Sequence, residues 1–124
     1  MAIHESGEDY LETILILHQK NGMVRSIDIA NELGYSKPSI SRAMGILKKS
    51  GYIETDEKGH ILFTEEGRIL AEKIYERHKN ISRFLMEVLG VSEETALKDA
   101  CRVEHDLSEE TYGKICEALD LRLK

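Results

Sequence analysis

The chain has little of what builds stapled or membrane-bound scaffolds. Two cysteines among 124 residues are too few for a disulfide framework. A single proline leaves no Pro-rich linker, and the sequence shows no repeat or low-complexity tract. The longest apolar run of the first predicted helix is Ile14-Leu15-Ile16-Leu17, far short of a bilayer span, so no membrane partner is expected. The opening residues lack a basic segment followed by an apolar one, so a secretory signal is not expected and the expected compartment is the cytoplasm. With 41% hydrophobic residues, the length suffices to bury a core without staples.

Excess positive charge is also lacking. There are 17 basic and 23 acidic residues, a net charge of −6, whereas duplex DNA rewards clustered Lys and Arg. The total hides an uneven distribution. Residues 1–19 carry four acids and no base, residues 20–60 seven bases and five acids, and residues 61–124 ten bases and fourteen acids. Between 36 and 50 stand Lys37, Arg42, Lys48 and Lys49 with no acid at all.

The periodicity predicts a mostly α chain with one β-hairpin. A first helix covers residues 7–20, with Tyr10, Ile14 and Leu17 on one face, and ends before Gly22. Ser26 is the expected cap of a second helix running to Leu33, with Gly34 as its left-handed terminator. Ser36 caps a third, with Pro38 in its first turn and Ile40, Met44 and Leu47 inward, ending at Gly51. Alternation at Ile53, Thr55, Ile61 and Phe63 around the turn Asp56-Glu57-Lys58-Gly59 predicts a hairpin. Thr64 caps a long fourth helix to about Leu89, its stripe being Leu70, Ile74, His78, Ile81, Leu85 and Val88. Ser92 and Ser108 cap a fifth and a sixth helix, the latter with Tyr112, Ile115, Cys116 and Leu119 inward. This order predicts an N-terminal winged helix-turn-helix at 1–63 and an all-helical domain at 64–124.

In such a motif the second helix of the pair enters the major groove by its N-terminal end. That end offers Ser36, Lys37, Pro38, Ser39, Ser41 and Arg42. Short hydroxyls admit the phosphate backbone closely, and the helix N-terminus attracts an anion. Arg42, one turn in, is the candidate for reading a base edge, ideally guanine. Arg25, Lys48, and Lys58 and His60 on the hairpin complete the candidate DNA surface. The plainer reading is a helical unit whose basic face is only solvated; the coincidence of hydroxyl-rich helix start, acid-free stretch and hairpin favours double-stranded DNA.

A second constellation points to a metal. His78 interrupts an apolar stripe, which by itself is what a satisfied structural histidine does. Cys101, Glu104 and His105 stand at i, i+3 and i+4 of the fifth helix, on a face that begins with Leu97. A glutamate buried there is costly unless something positive meets it, and thiolate, carboxylate and imidazole together suit a divalent transition metal. A surface Glu-His pair beside a small packed Cys is the bland alternative. Asp9 and Glu12, at i and i+3 of the first helix, carry no signal alone and gain value only as the oxygen donors of a site shared with these four residues. His4 and His18 are poorer candidates, and Cys116 belongs to an apolar stripe.

Over essentially its whole length the chain resembles the diphtheria-toxin-repressor family of metal-dependent bacterial regulators. The resemblance is carried by Asp9-Tyr10-Leu11-Glu12, Ser36-Lys37-Pro38-Ser39, Glu76-Arg77-His78, and Cys101-Arg102-Val103-Glu104-His105 followed by Leu107-Ser108. It implies a homodimer with a winged-helix domain and a helical dimerisation domain, binding operator DNA when loaded with Fe²⁺ or Mn²⁺, and not an enzyme. Length and the Asp9/Glu12 pair resemble the short, two-domain manganese-responsive branch. Cys101 departs from it, standing where that branch has glutamate and the iron-responsive branch cysteine. Leu97 and Ser82 replace a histidine and a glutamate of the iron branch's ancillary site. Carboxylates suit Mn²⁺, while a thiolate shifts preference toward Fe²⁺, Co²⁺ or Zn²⁺. Two rival readings stay open: a small metalloenzyme using Glu104 as base, and a metal-independent winged-helix protein with a structural Cys/Glu/His cluster that binds DNA or a protein.

Overall fold

The computed structural model describes residues 5–123, so His4 lies outside the described residues. The elements are α1 (Glu5–Asn21), α2 (Ser26–Leu33), α3 (Lys37–Lys49), β1 (Ile53–Thr55), β2 (Ile61–Phe63), α4 (Glu65–Glu87), α5 (Glu93–Val103) and α6 (Glu109–Leu123). The chain divides into two compact units, Met1–Glu72 and Lys73–Lys124, with the division inside α4.

In the first unit α1 packs on α2, α2 on α3, and α3 on β1. Of the expected α1 stripe Ile14 and Leu17 are buried while Tyr10 is half-buried, with Leu11 and Leu15 buried beside them; Ile29 and Ala30 of α2 are buried, and so is the expected α3 stripe of Ile40, Met44 and Leu47. Each fully buried Leu or Ile contributes about 1.5–3 kcal/mol relative to exposure. Gly34 ends α2 with φ 73°, a left-handed conformation that side chains disfavour, and its N–H bonds Ala30 O at 2.9 Å. Ser36 caps α3 by accepting the Ser39 N–H at 3.3 Å. β1 and β2 pair antiparallel with Ile53 opposite Phe63 and Thr55 opposite Ile61. Ile53 and Ile61 are buried, and the Ile61 N–H reaches back to Val24 O at 2.7 Å.

One expected cap is different. Ser26 is the first helical residue of α2, and Arg25 is the cap. The Asp28 carboxylate accepts the Arg25 N–H at 2.9 Å, so an acid one turn inside does the closing that a hydroxyl was expected to do. At the start of α4, Thr64 behaves as expected: its Oγ1 accepts the Gly67 N–H at 3.1 Å and donates to Gly51 O at 2.6 Å. Gly67 has a separate reason to be glycine. A Cβ there would stand 1.8 Å from Tyr52 O, so α4 passes the hairpin entrance at backbone contact.

In the second unit, Ile74, Ile81, Ala96, Ala100 and Leu119 are buried. Ser92 caps α5 through the Thr95 N–H at 3.4 Å, and Ser108 caps α6 through the Thr111 N–H at 3.1 Å. Among the described residues no helix is long and apolar enough to cross a membrane.

Candidate metal centre and nucleic-acid interface

The buried stripe of α5 is Ala96, Ala100 and Glu104. Of the expected face of Leu97, Cys101, Glu104 and His105, the last two are inside, with the His105 side chain 4% exposed, and the first two are not. Leu97 is 42% exposed and Cys101 is exposed, while Ala96 and Ala100 are fully buried. The expected face is therefore corrected at Leu97 and Cys101, which are outside, while the Glu104 carboxylate is buried as expected.

Glu104 is the C-cap of α5, and its N–H bonds Ala100 O at 2.9 Å. Its residue is 2% exposed. Oε2 lies 2.7 Å from His78 Nδ1, and Oε1 lies 3.3 Å from His105 Nε2. The side chain of His105 is 4% exposed and that of His78 17%. One buried carboxylate thus faces two imidazoles, brought from the middle of α4 and from the turn after α5. Oε1 accepts no hydrogen bond despite its burial. A buried carboxylate oxygen that has an imidazole nitrogen nearby but no aligned hydrogen bond is costly, and a divalent cation removes that cost. The donor set of one carboxylate and two imidazoles fits a divalent transition metal.

The other candidate ligands are distributed as follows. Glu12 is buried at 8% exposed, Asp9 is half-buried, and both lie on α1 one turn apart. Among the described residues, no cluster of three or more metal-ligating side chains includes Cys101. Ser82 is buried and donates from Oγ to His78 O at 2.8 Å, so it is spent on its own helix. His18 Nε2 lies 2.8 Å from Ile61 O and its ring 5.7 Å from that of Phe63, a structural tie between α1 and β2.

On the other unit, Lys37, Pro38, Ser39, Ser41 and Arg42 are exposed at the start of α3. Ser36 Oγ also donates to Ser39 Oγ at 2.9 Å, holding the two hydroxyls together. Lys48 Nζ donates to Thr55 Oγ1 at 2.9 Å, which fastens the end of α3 to the hairpin. In the hairpin turn Asp56 Oδ1 accepts the N–H groups of Lys58 and His60 at 2.9 and 2.8 Å, and Oδ2 lies 2.9 Å from His60 Nδ1. The bond from the His60 amide, then those from its ring and from the Lys58 amide, hold the Asp56 carboxyl below its ordinary range against partial desolvation. His60 therefore organises the wing tip, Lys58 is exposed there, and Arg25 is exposed at the start of α2.

Arg77, singled out in the sequence only within Glu76-Arg77-His78, has a definite structural role. Its guanidinium bonds the Leu107 carbonyl, meets Glu109 Oε1 at 3.2 Å and lies 4.8 Å over the Tyr112 ring. Its place beside His78 was the available signal.

Comparison with known proteins gives this geometry its context. Residues 2–61 match the N-terminal DNA-binding domain of iron-dependent repressors, and residues 64–121 match their metal-binding and dimerisation domain. The chain is 36% identical over 112 residues to an uncharacterized HTH-type transcriptional regulator of Methanocaldococcus jannaschii, covering 90% of each. It is 40% identical over 104 residues to the transcriptional regulator MntR of Escherichia coli O157:H7, covering 84% of this chain and 66% of MntR. The solved structure of the manganese regulator SloR is similar with a TM-score of 0.80 and 27% identity, over 97% of this chain and 55% of SloR. The chain thus spans nearly the whole archaeal relative but only about half to two thirds of the other two. With both domain models matched in order and these relatives beside it, the chain belongs to the iron-dependent repressor family of metal-dependent transcriptional regulators.

Proposed function

We propose that the chain is a cytoplasmic, homodimeric repressor that binds operator DNA when loaded with Mn²⁺ or Fe²⁺. The carrying observation is the buried Glu104 carboxylate between His78 and His105. A manganese regulator among its structural relatives and an iron-dependent family name support these two ions. His78, Glu104 and His105 hold the ion, and Asp9 and Glu12 supply carboxylates from α1. Cys101, one turn before Glu104, is the sixth candidate, and its exposure makes it the weakest.

The ion supplies positive charge that several acids near one point cannot supply for themselves. Asp9 and Glu12 belong to the DNA-binding half, residues 1–63, and the other ligands to the dimerisation half, residues 64–124. Holding both halves fixes the spacing of two winged helices to one DNA turn or a multiple of it, roughly 34 Å per turn. The response is a population shift, since the ion binds the DNA-competent arrangement more tightly than the others. On DNA, the α3 start with Ser36, Lys37, Pro38, Ser39 and Ser41 docks the backbone, Arg42 reads a base, and Arg25, Lys48, Lys58 and His60 flank it.

The deciding experiment is a DNA-binding titration with Mn²⁺ and with a chelator. Chelation is expected to abolish operator binding. Equal binding in both arms would favour a metal-independent winged-helix protein.

A further inference from the structure

Consecutive residues of α4 grip opposite ends of one turn. His78 meets Glu104 at the start of the segment 104–108, and Arg77 bonds the Leu107 carbonyl near its end. Within the segment, the N–H groups of Asp106 and Leu107 return to Val103 O at 3.0 and 3.2 Å. These bonds set the curl of the turn but do not attach it to α4. Beside the His78–Glu104 contact, Arg77 makes that attachment, and it also reaches Glu109 and lies over Tyr112. Asn80, three residues on from Arg77, donates to Tyr112 Oη at 3.0 Å and steadies the ring beneath the guanidinium. The Arg77 side chain is only 15% exposed, whereas its acidic partner Glu109 is 75% exposed. A surface ion pair of that kind contributes little, so the carbonyl bond and the ring contact are the substance of the arrangement. Nε is buried without an acceptor, so the fork is held at a cost that a simpler side chain would not incur.

We propose that Arg77 is a positioning residue of the metal centre. It fixes the 104–108 turn against α4, so that the carboxylate of Glu104 and the imidazole of His105 are presented to the His78 side at one separation. It touches no ion itself. A fixed donor spacing matters most to ions that select by geometry and coordination number, because raw affinity for Zn²⁺ exceeds that for Mn²⁺ at a permissive site. Zn²⁺ is satisfied by about four donors, whereas Mn²⁺ takes about six, so loosening the site costs Mn²⁺ more of its required ligands than it costs Zn²⁺. Arg77 therefore holds the ratio of Mn²⁺ to Zn²⁺ affinity, and not merely the fold. This inference rests on the reading of His78, Glu104 and His105 as ligands.

The test uses the full chain, stripped of metal, with Arg77→Ala, Arg77→Lys and His105→Ala beside the parent. Mn²⁺ affinity is read by titration calorimetry, Zn²⁺ affinity by competition with a chromophoric chelator, and helix content by circular dichroism. Arg77→Ala is expected to weaken Mn²⁺ binding tenfold or more and Zn²⁺ binding less than threefold, at unchanged helix content. Arg77→Lys keeps the charge but not the fork, and is expected to fall between. If Arg77→Ala fails to fold, the lysine variant carries the same comparison. Unchanged Mn²⁺ affinity, or equal losses for the two ions, would overturn the positioning role while His105→Ala still abolishes binding. Parent-like Mn²⁺ binding by His105→Ala would instead overturn the ligand reading, and the positioning role with it.

Discussion

The two units keep their functional groups in opposite surroundings. At the start of α3, Lys37, Ser39, Ser41 and Arg42 are exposed, within one stretch of six residues. At the end of α5, the Glu104 side chain is fully buried and His105 nearly so, and their partner His78 comes from a separate helix. An exposed cation is kept by water and screened by salt, so each one is independent of its neighbours. A buried carboxylate is tolerated only with its partners in place. The contrast teaches where damage spreads: loss of one side chain on the open surface removes one contact, and loss of one in the buried cluster disables the remainder.

The largest expected effect follows from the buried side. His105→Ala removes one imidazole from Glu104 and is expected to lower metal affinity by about 100-fold or more, the upper end of what even outer-shell changes cause. Metal-dependent operator binding is lost, while dimerisation persists in sedimentation experiments. A variant that still requires metal and binds it as tightly as the parent would break the comparison at its root.

Gly67→Ala tests the scaffold of the first unit rather than its surface. The added methyl meets Tyr52 O at 1.8 Å, a backbone atom that no rotamer change relieves. A destabilisation of about 1–3 kcal/mol or more is expected in urea unfolding. Parent-like stability would show that α4 has room to move off the hairpin entrance.

Arg42→Ala tests the open surface. Metal affinity is expected to stay unchanged, and preference for operator over random DNA to fall by about 1–3 kcal/mol, read from binding to both. Equal losses on both DNAs would make Arg42 a phosphate contact. A loss of metal affinity would mean that the two regions are not separable in the way their surroundings suggest.

The same contrast explains what the sequence makes legible. The hydroxyl caps at Ser36, Thr64, Ser92 and Ser108, the Gly34 terminator and the hairpin register are set by a few adjacent residues, and each stands where local chemistry puts it. The α3 surface is legible for the same reason. Ser26 misleads because Asp28 competes for the same cap, and the acid closes the turn one residue earlier. The α5 face misleads only at Leu97 and Cys101, because a helix of eleven residues offers one leucine and two alanines, and the alanines are the residues that are buried. Ala96 and Ala100 face inward because they are small. The pairing of His78 with Glu104 spans 26 residues, beyond any helical period, so spacing does not give it; residue chemistry alone groups the two as candidate ligands of one ion. The Arg77 bond to a backbone carbonyl leaves no trace in composition or spacing.

The smallest expected effect lies at the wing tip, where a polar network is exposed rather than buried. Asp56 accepts from two amides and pairs with the His60 ring, and these bonds hold its carboxyl below the ordinary value of 3.8. A carboxyl lowered in the folded protein stabilises the turn fully above its ordinary value. That contribution is lost as the pH falls through the lowered folded value, when the group takes up a proton. Asp56→Asn keeps an oxygen for the amides but gives up the charge facing the ring. Amide exchange at Lys58 and His60 is expected to be modestly faster in the variant through neutral pH, by a margin that does not change there on account of Asp56. The margin should close only in acid, below the carboxyl's folded value. Operator affinity should fall slightly and metal affinity not at all, because the tip is a local arrangement on the open unit. A margin that instead changed across neutral pH would mean that the turn is governed by a group other than this carboxylate.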